Sequence, residues 1–176
     1  MRAGGWRRLQ AWGIDCVAAL LWAAALAGVV WPQRNRPLLL ALSVHPALEN
    51  LVGFAVLVLP VTIALAWAEH RWGTTPGKRL TGLHVIARSE RSTPSARQAL
   101  ARNGVKVALP WAIGHAAVFL LVHDADVAGG AAAPGAPAIG LLLLSYVLPL
   151  VTVACVFARG RALHDVIADT EVVTGQ

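Results

Sequence analysis

Arg7-Arg8-Leu9-Gln10-Ala11-Trp12-Gly13-Ile14-Asp15-Cys16 opens an apolar run that continues to Trp31. From Ala11 to Trp31 the only charge is Asp15, and the run is long enough to cross the ~30 Å hydrocarbon core of a bilayer as a helix. Trp6 and Trp12 stand toward one end and Trp31 at the other, as interfacial aromatic belts do. Pro32 ends the run. Seven residues separate Arg8 from Asp15, close to two helical turns, so the pair shares a face with ~10 Å between them along the axis. A cleaved leader would place Asp15 and Trp22 in its apolar core, where they fit poorly, so the run is read as a retained span.

The whole chain has the same character. It is 57% hydrophobic and 14% charged over 176 residues, against roughly 45–50% and 25% in soluble domains. The net charge of +6 does not point to nucleic acid, because the basic residues flank apolar runs and lack interleaved aromatics. They suit an anionic membrane surface. Arginine outnumbers lysine thirteen to two, and with abundant Ala and Gly this suggests a bacterial, GC-rich coding sequence. Cys16 and Cys155 lie inside apolar runs and read as small buried hydrophobes, with neither a disulfide framework nor a metal motif.

Three further spans are predicted, at 48–68, 105–122 and 138–158. Pro60 should kink the second and free a carbonyl for a neighbouring helix or Thr62 to satisfy. The third is interrupted by Pro110, Gly114 and His115, and the fourth contains Pro149. His115 reads either as a pointer to a polar cavity or as a packed, satisfied histidine. Residues 32–47 hold three prolines, and Leu38-Leu39-Leu40-Ala41-Leu42 is too short to span but could lie on the membrane surface. Between spans two and three, residues 80–87 are expected to form a short strand, and Ser89-Glu90-Arg91-Ser92 a turn. An amphipathic helix should follow, capped at Thr93-Pro94, with Ala96, Ala99, Leu100 and Asn103 on one face and Arg97 and Arg102 elsewhere. Residues 123–137 read as a Gly/Ala/Pro loop with Asp124 and Asp126, and the tail from Arg159 as polar.

Lys and Arg fall unevenly. Twelve lie in the N-terminus, the 69–104 segment and the tail, and only Arg34 and Arg36 on the other side. The positive-inside rule therefore predicts a four-helix protein of the inner (plasma) membrane with both termini and the long middle segment cytoplasmic.

Asp15 is the sharpest candidate for chemistry. A carboxylate inside a span costs roughly 2.5–3.5 kcal/mol at the membrane centre, less near the edge, so it needs protein or water and a partner. A proton or cation relay and an interhelical polar clamp both remain open. Side chains lean toward the helix N-terminus, which aims Arg8 at the headgroups and away from Asp15. A basic group from 69–106 is as good a partner. Arg161-Ala162-Leu163-His164-Asp165 puts another Arg and Asp, with an adjacent His, beside the same interface. His next to Asp can bind metal or move a proton, and an interfacial hydrogen-bond network is the plainer reading. Thr75-Pro76-Gly77-Lys78-Arg79 fails as a phosphate loop, since the upstream glycine is misplaced and Arg79 replaces the Ser or Thr. It reads as a tight turn offering two cations to lipid phosphates. No nucleophile–base pair, zinc spacing or dinucleotide fingerprint is present, so neither an enzyme nor a cofactor is expected.

Three segments together resemble the RDD family of membrane proteins. They are the opening Trp6 to Asp15, the glycine–lysine stretch Thr75 to Val85 with its continuation Ala99 to Asn103, and the closing Leu163 to Val173. The resemblance implies that Arg8, Asp15 and Asp165 are the family's arginine and two aspartates, with Arg7 competing for the first place. Asp169 stands where the family more often has a small residue. Gly77, Lys78, Arg79, Arg102 and His164 would support the cluster. The family has been suggested to transport unknown ligands, and some members are linked to cation–proton exchange. The expected function is therefore transport-related. The rivals are an accessory or assembly subunit of a larger membrane complex and a lipid-headgroup-binding module. Four short spans make a thin wall for a solute path, so a homo-oligomer or a partner membrane protein is expected alongside anionic lipid.

Overall fold

The computed structural model describes residues 3–33, 46–127, 133 and 135–175. Helix α1 covers Gly5–Val30, α2 Pro46–Trp72 and the short α3 Pro76–Leu80. Strand β1 (Leu83–Ala87) leads to α4 (Ala96–Asn103), a wide π turn (Gly104–Ala108) and α5 (Leu109–Val127). Helix α6 (Ala136–Arg159), short α7 (Leu163–Ile167) and strand β2 (Thr170–Thr174) complete the chain.

Among the described residues, four helical stretches are long and apolar enough to cross a membrane: Gly5–Val30, Ala47–Trp72, Ala96–His123 and Ala136–Arg159. Each exceeds the ~20 residues a span requires. Leu20, Leu21, Leu143 and Leu150 are each at least 60% exposed, an apolar surface that water would penalise and hydrocarbon would not. Pro60 withholds a donor from α2, and Trp22 Nε1 of α1 supplies one, reaching Val56 O, the acceptor four residues before the proline, at 3.4 Å. The Thr62 hydroxyl serves Val58 O instead.

At one end the chain builds a cap over the bundle. β1 and β2 pair antiparallel, Leu83 opposite Thr174 through to Ala87 opposite Thr170. Ala3 N donates to Val172 O, so the N-terminal segment joins the same layer. Ala3, Ala11, Leu83, Val85 and Val172 form its apolar core. Gly160 leaves α6 in the left-handed conformation that only a residue without Cβ adopts cheaply, and α7 turns back beneath the cap.

Several expectations need correction. The tail is not simply polar: its residues 170–174 are the partner strand, buried at Thr170, Glu171 and Val172. α1 begins at Gly5, six residues ahead of the expected span, while Arg8 is helical as its spacing from Asp15 assumed. α4 is capped by Ser95 in a reciprocal box with Gln98, not by Thr93-Pro94. Its buried face is Ala99, Arg102 and Asn103, while Leu100 is exposed. α5 runs to Val127, so Asp124 and Asp126 belong to a helix and not to a loop. Leu38 to Leu42 falls outside the described residues.

Candidate functional site

The short helix α3 exists because Thr75 and Pro76 start it: Thr75 caps the Lys78 amide and Pro76 occupies the first helical position. Its backbone lies directly against α1. A Cβ on Gly77 would sit 2.1 Å from Ala11 O, so glycine is required by the close approach. That contact positions two donors on Asp15. Gly77 N reaches Oδ1 at 2.8 Å and Thr75 Oγ1 reaches Oδ2 at 2.7 Å. Asp15 lies ten residues into α1, about 15 Å along its axis, and is 4% exposed.

Lys78, next in α3, turns inward. Its ammonium donates to Glu69 Oε1 at 2.7 Å and to Thr75 Oγ1 at 3.3 Å. It is buried, so it does not offer its charge to lipid phosphates as its motif suggested. Arg79 is exposed and takes no part. Glu69, near the end of α2, is fully buried and has three partners: Lys78, Arg102 Nε at 3.1 Å, and Asn103 Nδ2 at 2.8 Å. Arg102 then bridges to Asp165, with Nη1 2.5 Å from Oδ1, and donates to Thr170 Oγ1 at 2.8 Å.

Asp165 is held from four directions. Arg8 Nη2 pairs with Oδ2, Arg102 with Oδ1, Ala162 N donates to Oδ2 at 3.0 Å, and His164 Nε2 is 3.6 Å from Oδ1. Burial alone would raise this carboxyl's pKa. The adjoining Arg102 and Arg8 guanidiniums and the Ala162 amide outweigh it and hold Asp165 below the usual carboxylate range. His164 goes the other way for a cation: burial first, then Arg102, push it well below its ordinary value, leaving a neutral imidazole. Arg8 also donates to Gly160 O at 3.1 Å. It points away from Asp15 as expected, but toward Asp165 and not the headgroups. Arg7 is exposed, which leaves Arg8 as the arginine of the cluster.

Asp15, Thr75, Lys78, Glu69, Arg102, Asp165 and Arg8 thus form one continuous chain of polar contacts linking α1, α2, α3, α4 and α7. Asp15, Asp165, Lys78, Arg102, Arg8, Gly77 and His164 lie together in or beside this chain of contacts. Glu69, Thr75, Asn103 and Thr170 were not singled out from sequence. Glu69 carried a signal, as an acid one turn before Trp72 at the end of an apolar run. His115 is a packed histidine, 3.2 Å from Asn50 Oδ1 and edge-on to Phe54. Among the described residues no group of His, Cys, Asp or Glu is arranged for a metal ion.

Beside this network is a cavity of about 110 Å³, between the first turns of α1, the π turn, the start of α5 and the second half of α6. Arg8, Lys78, Arg102 and Lys106 all line it, and Asp15, Glu69 and Asp165 do not. Lys106 is the loosest member. Its Nζ is 4.0 Å from Asp15 Oδ2 and hydrogen-bonds to none of the described residues. His164, also on the wall, has a buried Nδ1 without a hydrogen bond.

A family model, that of the RDD family, matches residues 2–169. Comparison with curated proteins and with solved structures gives no match.

Proposed function

The chain belongs to the RDD family, and from that premise we propose that it is a transport-related protein of the plasma membrane that takes a small charged solute into the cavity beside α1. One observation carries the reading: a hollow among span helices has Arg8, Lys78, Arg102 and Lys106 on its lining, while their counter-ions Asp15, Glu69 and Asp165 are not part of it. Solute sites in membrane proteins lie where ionisable groups face a cavity within the bundle.

Both termini and the cap are assigned to the cytoplasm. Supporting this, Arg71, Arg79, Arg88, Arg91 and Arg97 are all exposed at the cap end, as the positive-inside rule and an anionic leaflet favour. Four helices give few walls, so the working unit is a homo-oligomer. A second reading, a non-transporting accessory subunit, is favoured by the way Asp15, Glu69 and Asp165 each have two or more partners, as a clamp would.

The test is purification of the tagged protein from its native membrane, followed by reconstitution and flux measurement with a panel of small charged solutes. A homo-oligomer with saturable flux, lost in Lys106→Gln, is the expected result. A stoichiometric foreign partner with no flux would overturn the transport reading in favour of the accessory one. For orientation, Ala133→Cys, with Cys16 and Cys155 replaced by Ala, should react with an impermeant thiol reagent from outside the cell. Labelling only from the cytoplasmic side would refute the assignment.

A further inference from the structure

The cavity's wall has two kinds of surface. At one end stand Arg8, Lys78, Arg102 and Lys106; the rest includes Leu109, Leu148, Pro149, Val153 and Val156, all apolar. Among the described residues the four cations pair with three carboxylates, so one positive charge is left over. Its natural owner is Lys106, which has no hydrogen bond to those residues and only a 4.0 Å approach to Asp15. An unpaired buried charge costs free energy until something satisfies it. A lone anionic group near Lys106 would complete it.

A small, fully polar anion would meet only part of this wall. The apolar remainder would stay wet, or dry and empty, and either state wastes contact. The hollow is partly open, and on its lining Trp12, Leu109 and Phe157 are 45%, 45% and 56% exposed. All three belong to span helices, so the opening is edged by apolar side chains that suit lipid. A molecule with an anionic head and a hydrocarbon tail fits both surfaces, the head at Lys106 and the tail along α6 toward the bilayer.

We propose that the cavity binds a single-chain amphipathic anion, its carboxylate or phosphate head held by Lys106 with Arg8 and Arg102 behind, and its tail against α5 and α6. This rests on the solute-site reading above and names the chemical class of the solute. The head can come from a free fatty acid or from a lysophosphatidate, which share a compact oxyanion.

Trp12 on the cavity wall supplies the assay. Purified protein in a non-ionic detergent is titrated with 9,10-dibromostearate, with the matching brominated lysophosphatidate and with dibromostearyl alcohol, following tryptophan quenching by bromine. The expected result is saturable quenching by one or both anions at a concentration at least tenfold below that of the alcohol. Whichever anion is stronger identifies the source. Trp12→Phe should remove the saturable component. Lys106→Gln should weaken anion quenching about tenfold. Thr152→Phe, which fills the apolar part of the wall and leaves every charge in place, should abolish it. Equal quenching by alcohol and acids, or unchanged affinity in both Lys106→Gln and Thr152→Phe with wild-type elution, would overturn the proposal. Acetate and inorganic phosphate are run as tail-less competitors against a second readout, protection of Lys106 from acylation. If they protect and the amphiphiles do not, the amphiphile claim fails while the charged-solute reading stands. If nothing protects, both fail.

Discussion

Replacing Gly77 with alanine tests the central joint of the molecule. The new Cβ would lie 2.1 Å from Ala11 O, a backbone atom that no rotamer change can move. Ordinary contact needs about 3.4 Å, so α3 must retreat from α1 by about 1.3 Å. That displacement takes Gly77 N from 2.8 Å to beyond hydrogen-bonding reach of Asp15, and moves Thr75 with it. Overpacking of this kind costs about 1–3 kcal/mol and a lost hydrogen bond to a buried charge about 1.5–3 kcal/mol. The sum, about 2.5–6 kcal/mol, corresponds to a fall of roughly 5–20 °C in Tm for a chain of this length. Thermal unfolding of detergent-solubilised protein, followed by loss of the monodisperse chromatographic peak, gives the readout. Asp15→Asn should lower Tm too, and the double variant should fall well short of the summed effects, because both changes break the same joint. Gly77→Ala within about 0.5 kcal/mol of wild type, or strict additivity with Asp15→Asn, would refute the account.

Glu69→Gln leaves Lys78 and Arg102 buried with half their compensation. A loss of about 3–5 kcal/mol is expected in the same assay, whereas Arg79→Ala, on an exposed side chain, should stay within about 0.5 kcal/mol. Acid should weaken the cap in two stages. Burial keeps His164 neutral in the fold while the unfolded chain takes up a proton below about pH 6.5, so its contribution is present above that pH and fades below it. Asp165 is held ionised in the fold, so its contribution is present above about pH 4 and is lost as pH falls further. Melting from pH 8 to 4 should decline first below about 6.5, and His164→Gln should flatten that upper stage. A profile level down to pH 5 in the wild type would contradict the neutral buried imidazole.

The membrane architecture was legible because apolar runs report burial in lipid directly, residue by residue. Apolar runs do not report what polar residues do at the end of a span. Glu69 follows an unbroken apolar stretch and precedes His70 and Arg71, so it reads as the start of a polar loop, although α2 continues to Trp72. Arg102 looks like the solvent face of an amphipathic helix because charge ordinarily marks that face. Here two carboxylates from distant segments make burial affordable, and pairing across 33 and 63 residues leaves no periodic trace. Strand β2 was hidden for a similar reason: five residues with a threonine at each end pass for tail, and their neighbours β1, the Ala3 amide and Arg102 all come from distant segments. Arg8 and Asp15 share a helical face, and that proximity suggested a pair, yet each finds its partner in another element.

The order of the elements along the chain has a consequence for biogenesis. β2 and α7 follow every element that they close. As the chain is synthesised, Asp15 and Glu69 meet Thr75, Gly77, Lys78 and Arg102 once the second span and α4 are out. Asp165 emerges only after all four spans. Until then Arg8 waits for a counter-ion, Arg102 has only Glu69, and the β1 edge lacks its partner strand. Insertion and completion are therefore separate events, and a chain clipped before Ala162 would be inserted but uncompensated. α7 and β2 act as a lock whose absence leaves buried charge for membrane quality control to find.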